Sequence, residues 1–319
     1  MQYNIITIGS ATRDVFLVSK QIKLIPSEKF ATGVGECVAL GTKIELDHLV
    51  LTTGGGATNA AATFGNLGFK TATVARIGDD AIGQDVMRDL LAHRVTTELL
   101  SIVKGGQTGY STLLTDPKTG ERTALVYRGV SGGLSEHDVS IPKLKTDWLY
   151  LTSFGGNIKL ATHIINALGN KIKIVWNPGV ADIKHGFKAF EPLLQKLFMF
   201  NVNLEEARLL FGNEIRIPNS LLLVITDGQR GAHAHLNGTT WFVKGQKRRV
   251  ISRTGAGDAF GSGMVAGFMK GCGVEDAMRI GLANAQSVIQ HYGAKAGILN
   301  KWPSAVELKK ISVKISNTL

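Results

Sequence analysis

Ser252-Arg253-Thr254-Gly255-Ala256-Gly257-Asp258-Ala259-Phe260 is the stretch around which the rest of the chain can be read. Three small residues bring a carboxylate to the end of a loop, and a small, apolar helical pattern runs on through Lys270. A Gly-Ala-Gly turn lets successive backbone N–H groups point into one space, and the helix N-terminus behind them adds partial positive charge. The N–H groups of Gly255, Ala256 and Gly257 would thus form an anion cradle with Asp258 at its rim. A carboxylate beside an anion site has a chemical use: it removes a proton from a hydroxyl while the cradle holds a phosphoryl group in transfer. Locally, the same spacing also fits a helix-capping aspartate after a glycine turn.

The chain has 319 residues, 44% of them hydrophobic, enough for one large α/β domain or two small ones. Glycine is abundant at 38 residues and proline scarce at 7, which suits many tight βα turns. Cys37 and Cys272 lie far apart with no metal-ligand spacing, so a reducing, cytoplasmic location is expected. Met1–Gly9 looks like a first buried strand rather than a signal peptide, and no run of about 18 apolar residues suggests a membrane span. The net charge is +11, but the basic residues are scattered. One dense cluster, Lys244, Lys247, Arg248 and Arg249, has only Trp241 and Phe242 nearby, so no nucleic-acid partner is expected. A positive field attracting a polyanionic small molecule accounts for the charge equally well.

Short apolar β-type runs alternate with helical patterns. Strands are predicted at 5–8, 71–75, 148–151, 172–176, 198–201 and 222–226, and helices at 57–67, 82–93, 158–168, 204–211, 258–270 and 274–291. This alternation argues for a doubly wound, mainly parallel sheet flanked by helices, in one domain spanning 1–319. Two stretches break it. Residues 16–51 show no convincing helix, and 108–128 read as a β-hairpin turning at Asp116-Pro117-Lys118-Thr119-Gly120. Both are expected to build a small β-sheet lid over the C-terminal edge of the parallel strands, where open α/β sheets bind ligands.

Four further constellations carry possible chemistry. Asp14, in Gly9-Ser10-Ala11-Thr12-Arg13-Asp14, is expected at the sheet edge, placed to accept ligand hydroxyls or to cap a turn. Thr53-Gly54-Gly55-Gly56-Ala57-Thr58-Asn59 lets backbone approach a ligand, and Asn59 in the following first turn offers both donor and acceptor; it lacks the endings of a P-loop or dinucleotide fingerprint. Asn203 and Glu206 share one face of a starting helix and suit a hydrated Mg²⁺, although the same pair makes a capping box. Thr226-Asp227-Gly228-Gln229-Arg230-Gly231 follows a buried strand and reads as a hairpin turn whose Thr226, Gly228 and Gly231 could line a phosphate or ribose site.

Their order along the chain resembles the ribokinase-like (PfkB) family of carbohydrate and nucleoside kinases, over roughly Ile5 to Ile298. The glycine-Asn and Gly-Ala-Gly-Asp stretches are that family's two signatures, and Arg76-Ile77-Gly78-Asp79-Asp80, Gly120-Glu121-Arg122-Thr123 and Asn177-Pro178 add to the likeness. The resemblance implies Asp258 as general base and Gly255, Ala256 and Gly257 as holders of the transferring phosphoryl. It implies Asp14, Gly54, Gly55 and Asn59 around the acceptor, and Asn203 and Glu206 near Mg²⁺ and the phosphates. It puts Thr226, Gly228 and Gly231 at the nucleotide and Asn284 near the adenine. ATP would be the co-substrate, a small sugar the acceptor with a nucleoside as alternative, and the lid a possible homodimer interface.

Two departures from the family pattern bear on behaviour. Ser252-Arg253 stands where relatives carry Asp-Thr, whose aspartate belongs to a monovalent-cation site. Little dependence on K⁺ is therefore expected, with Arg253 supplying part of the charge. A glutamate that ribokinases often carry after the strand 148–151 is replaced by Thr152-Ser153-Phe154, and the lysine common in their glycine loop by Gly56. Both argue against ribose itself. Phe16 and Phe154 are candidates for stacking on a base or sugar face.

Overall fold

The computed structural model of the chain describes residues 2–30, 32–117, 120–212 and 214–316; Lys118 and Thr119 of the expected hairpin turn lie outside them. Among the described residues the main sheet has ten strands. Tyr3–Ile8 lies third from one edge, with Thr71–Val74 and then the short Val95–Thr96 on that side and Thr146–Leu151, Lys173–Trp176, Met199–Asn203 and Leu222–Thr226 on the other, all parallel. Three antiparallel strands, Gly231–Leu236, Thr239–Lys244 and Val313–Ser316, extend the other edge.

The parallel strands are largely apolar because both faces are covered, and their period of two divides them between two cores. Ile6, Ile8, Leu149, Leu151, Leu223 and Ile225 face helices Ile158–Leu168, Phe187–Leu194 and Leu204–Phe211. Ile5, Trp148, Tyr150, Leu222 and Val224 face helices Gly56–Asn66, Ala256–Met269 and Val274–Val288. This is the expected doubly wound fold. On the second side the helices touch through small residues: a Cβ on Gly263 or Gly267 would lie 3.1 Å from the Cα of Gly281 or 3.0 Å from that of Ala277. Glycine inside a helix costs about 1 kcal/mol each, and here close helix contact is what it permits. The helix Phe187–Leu194 was not evident from sequence, since Pro192 interrupts its pattern.

Chain leaving Tyr3–Ile8 passes through Gly9-Ser10-Ala11 straight into a second, four-stranded sheet ordered Arg122–Tyr127, Gly109–Thr115, Thr12–Val18, His48–Gly54. It is the expected small sheet, and it begins earlier, at Thr12. Asp14 therefore sits on a strand of this sheet and not at the main sheet's edge. Alternation puts Asp14, Ser111, Leu113, Arg122, Ala124 and Val126 on one face, turned to the C-terminal ends of the parallel strands.

Candidate active site

The Ser10 turn, the triple-glycine turn, the inner face of the small sheet and the start of helix Ala256–Met269 enclose a cavity of about 310 Å³. Asp258 is the third residue of that helix and half-buried at the cavity wall. Its Oδ2 accepts a 2.8 Å hydrogen bond from Asn59 Nδ2, so the two signature loops meet in space. Gly255, before the helix, is left-handed (φ 77°), and a Cβ there would press on Ala294. The N–H groups of Gly255 and Gly257 make no backbone hydrogen bond among the described residues, whereas Ala256 N–H donates to the Arg253 carbonyl at 3.3 Å. The cradle is thus two free donors and one engaged in its turn. Nothing lies within 4 Å of a Cβ built on Gly257, which leaves room above the helix start.

Burial pushes the Asp258 carboxyl up to about 6; the Asn59 bond opposes this, the nearby Asp14 carboxylate adds to it, and the Lys295 ammonium draws it down. Asp14 is itself buried and raised by desolvation, held back by Lys295, Thr12, Ser111 and Arg122. Gly54 lies behind it: a side chain there would run into the Asp14 carboxylate, so Gly54 makes room for that carboxylate rather than lining the cavity. Gly55, at φ 97° against the Ser10 carbonyl, does line it. Asn59 Oδ1 is buried without a partner among the described residues, an acceptor left for a ligand hydroxyl or water.

Lys295 is almost fully buried under the site. Its Nζ donates to Thr53 Oγ1 at 2.5 Å and pairs with Asp89 Oδ2 at 3.1 Å, tying the loop after Val274–Val288 to the residue preceding the triple glycine. Burial lowers its pKa; Asp89, Asp14 and Asp258 oppose that. Nothing in the local sequence marks this lysine, because its partners come from three distant segments.

A second cleft of about 700 Å³ is lined by Asn203, Thr226 and Gly228 together with four arginines, Arg122, Arg208, Arg230 and Arg253. Arg122 lines both spaces and so stands between them. Arg253 pairs with Glu121 Oε1 at 2.8 Å, and Arg230 grips Asp227 at 2.5 and 2.7 Å. Ser252 is fully buried, its Oγ accepting the Thr254 N–H at 3.2 Å.

Several expected site residues sit elsewhere. Gly231 is buried at φ 121°, a side chain there would run into the Val243 carbonyl, and it is not on the cleft wall. Asn284 is fully buried: its Nδ2 donates to Ala259 O (2.8 Å) and Thr63 Oγ1 (3.2 Å), and its Oδ1 accepts Leu299 N–H (2.9 Å). It fastens three segments, with both Nδ2 protons engaged inside the protein. Phe16 packs on Tyr292 and Phe154 on Trp176 inside the protein, so neither offers a stacking face. Glu206 forms the capping box with Asn203, each side chain accepting the other's N–H at 2.9 Å, and lies off the cleft wall. Burial raises its carboxyl, with Glu205, Asp182 and Asp258 adding like charge, while the Asn203 N–H opposes the rise. Among the described residues no three His, Cys, Asp or Glu side chains form a metal cage, and no helix is long and apolar enough to cross a membrane.

The pfkB family carbohydrate kinase profile matches residues 4–301. The chain is 27% identical over 247 residues to an uncharacterized sugar kinase of Archaeoglobus fulgidus, covering 73% of this chain and 96% of that one. With a ribokinase of Haemophilus influenzae it shares 26% identity over 263 residues, 77% of this chain and 83% of the other. The solved Methanocaldococcus jannaschii nucleoside kinase, an archaeal member of the ribokinase family, has a TM-score of 0.79 at 19% identity, covering 97% and 99% of the two chains, a likeness of fold. Since the match runs from the first strand to past the last long helix and through both loops that meet at Asp258, this chain belongs to the pfkB family of carbohydrate kinases.

Proposed function

We propose that the chain moves the γ-phosphoryl group of ATP to a hydroxymethyl group of a small sugar, with Asp258 as general base. The observation that carries this is the hydrogen-bonded meeting of Asp258 and Asn59 beside two free helix-start N–H groups, in one cavity with Asp14. As the hydroxyl oxygen forms its bond to phosphorus, its proton passes to Asp258 and the bond to ADP breaks. With a pKa of about 6, Asp258 is ionised at neutral pH yet close enough to it to accept that proton. The N–H groups of Gly255 and Gly257, with Arg122 between the two spaces, meet the charge spread over the transferring group. Asp14 and Asn59 orient the acceptor. Asn203, Thr226 and Gly228 line the ATP cleft, whose arginines suit a polyphosphate.

Mg²⁺ would sit beside Glu206: burial raises this carboxyl, like charge from Glu205, Asp182 and Asp258 adds to the rise, a cation would relieve it, and Glu206 with Asn203 would hold one through water. Bound there, it would neutralise phosphate charge. The buried Ser252 hydroxyl, occupied by Thr254, supports little dependence on K⁺; equal turnover in Na⁺, K⁺ and Tris-only buffers is expected, and a tenfold K⁺ activation would count against it. The small sheet acts as a lid that keeps water from competing with the acceptor. Its outward face exposes Leu49, Leu51 and Leu125, which a second copy of the chain would cover.

Asp258→Asn should keep ATP binding and lose at least about a hundredfold in turnover, the low end for a general base; near-normal turnover would remove Asp258 from this role. A nucleoside acceptor is favoured by one feature, the apolar patch of Leu113, Ala124 and Val126 that shares the inner face of the small sheet with Asp14. ADP release measured across sugars and nucleosides separates the two acceptors.

A further inference from the structure

We infer that the acceptor is a sugar bearing an anionic group, a carboxylate or a phosphate monoester, at the end remote from the hydroxyl that is phosphorylated, and that Arg128 receives that group. This rests on the kinase reading above.

The strand Arg122–Tyr127 runs the length of the acceptor cavity. Its register sets Arg122 opposite Thr115 and Tyr127 opposite Tyr110, so Arg122 and Arg128 stand at opposite ends, about 20 Å apart along the backbone at the rise of a strand. Arg122 is at the end shared with the arginine cleft, where the donor's phosphates explain it. Arg128 lines the acceptor cavity alone and is absent from the cleft wall. A cation there has no donor phosphate to serve.

Nor has it a protein anion. Among the described residues Arg128 has no ion pair, while its basic neighbours do: Arg13 pairs with Asp85, and Arg76 donates to Gly133 O at 2.7 Å and lies 3.8 Å from Asp138. The carboxylates on the cavity wall are Asp14 and Asp258, and the cation felt by Asp14 from this strand is Arg122, not Arg128. The position is also shaped. A Cβ on Gly132 would come within 2.9 Å of Arg128 Cβ and 3.3 Å of its Cδ, so the bare Gly132 backbone is what the arginine's stem lies against on the cavity wall. Between this end and Asp258 the wall offers the hydroxyls of Ser10, Thr12 and Ser111, suited to a polyol. A guanidinium fork binds a carboxylate or phosphate through two parallel hydrogen bonds.

The test uses the full chain with ATP and Mg²⁺ and reads ADP release from three groups of acceptors: sugar acids, sugar monophosphates, and neutral sugars with nucleosides. One anionic group should exceed its neutral counterparts in kcat/KM, and which one it is identifies the anion. Arg128→Met should raise KM for that acceptor about thirtyfold, the worth of a charge-assisted hydrogen bond, with a much smaller change in kcat and in KM for ATP. Arg128→Lys should recover part of the loss. Turnover confined to neutral sugars or nucleosides, an anion preference that survives Arg128→Met, or a rise in KM for ATP instead of the acceptor would each overturn the inference while leaving the kinase reading standing. No ADP from any acceptor would overturn that reading and this one with it.

Discussion

At the scale of single residues, Asp258 couples activity to stability. Because it must be ionised to act, kcat/KM should fall about tenfold per pH unit below about pH 6 and level off above it. Its folded-state pKa is raised, so its contribution to stability is present below the ordinary carboxylate value of 3.8 and is lost as pH rises through about 6. Asp258→Asn should therefore raise the melting temperature near pH 7.5, by roughly 2–5 °C for a penalty on the order of 1–2 kcal/mol, and give no gain near pH 4; calorimetry at the two pH values checks this. Lys295 works in the opposite direction. Lys295→Met removes the cation that draws Asp258 and Asp14 down, so the acid limb of the pH–rate profile should move to higher pH. It also leaves Asp89 without its ammonium, at a cost of roughly 2 kcal/mol in urea unfolding. A profile that stays in place would mean Lys295 only fastens loops. Asp258, Asp14 and Asn59 were legible because each lies within a local motif; Lys295 and Arg128 were not, because their partners are assembled by the fold.

At the scale of elements, the turn into helix Ala256–Met269 contains two glycines with different reasons to be glycine. Gly255 is left-handed and pressed on Ala294, so Gly255→Ala should cost roughly 2 kcal/mol or more. Gly257 has helical backbone and open space, so Gly257→Ala should hold or raise the melting temperature, by up to about 1 kcal/mol, yet put a methyl where the phosphoryl group belongs and lower turnover at least about tenfold. Thermal melts and kinetics on both variants give opposite patterns if this is right; parallel losses would make the turn purely structural. The elements themselves were largely readable: Ile158–Leu168, Leu204–Phe211 and Leu222–Thr226 have the bounds their periodicity suggested. The Asn203–Glu206 pair shows the limit, since one spacing serves a helix cap and a metal site equally; the cap is formed here, and forming it does not decide the metal.

At the scale of the whole molecule, the small sheet presents two faces with different fates. Its inner face carries the acceptor cavity; on its outer face Leu49, Leu51 and Leu125 are each more than half exposed. If that face joins two copies, the chain should sediment as a dimer and the double variant Leu49→Glu, Leu125→Glu as a monomer, with little change in monomer melting; a wild-type monomer at tens of micromolar would remove the dimer. The sequence by itself determined the alternation of buried strands and helices and the local motifs at 14, 54–59 and 255–258, because periodicity, turn chemistry and glycine placement act over a few residues. Only the tertiary structure decided that Asp14 stands on the small sheet, that Asn59 holds Asp258, that Asn284 and both phenylalanines are packing, and that Arg122 and Arg128 face one cavity from its two ends. Those outcomes depend on strand register and on burial, which arise when segments far apart in the chain exclude water together.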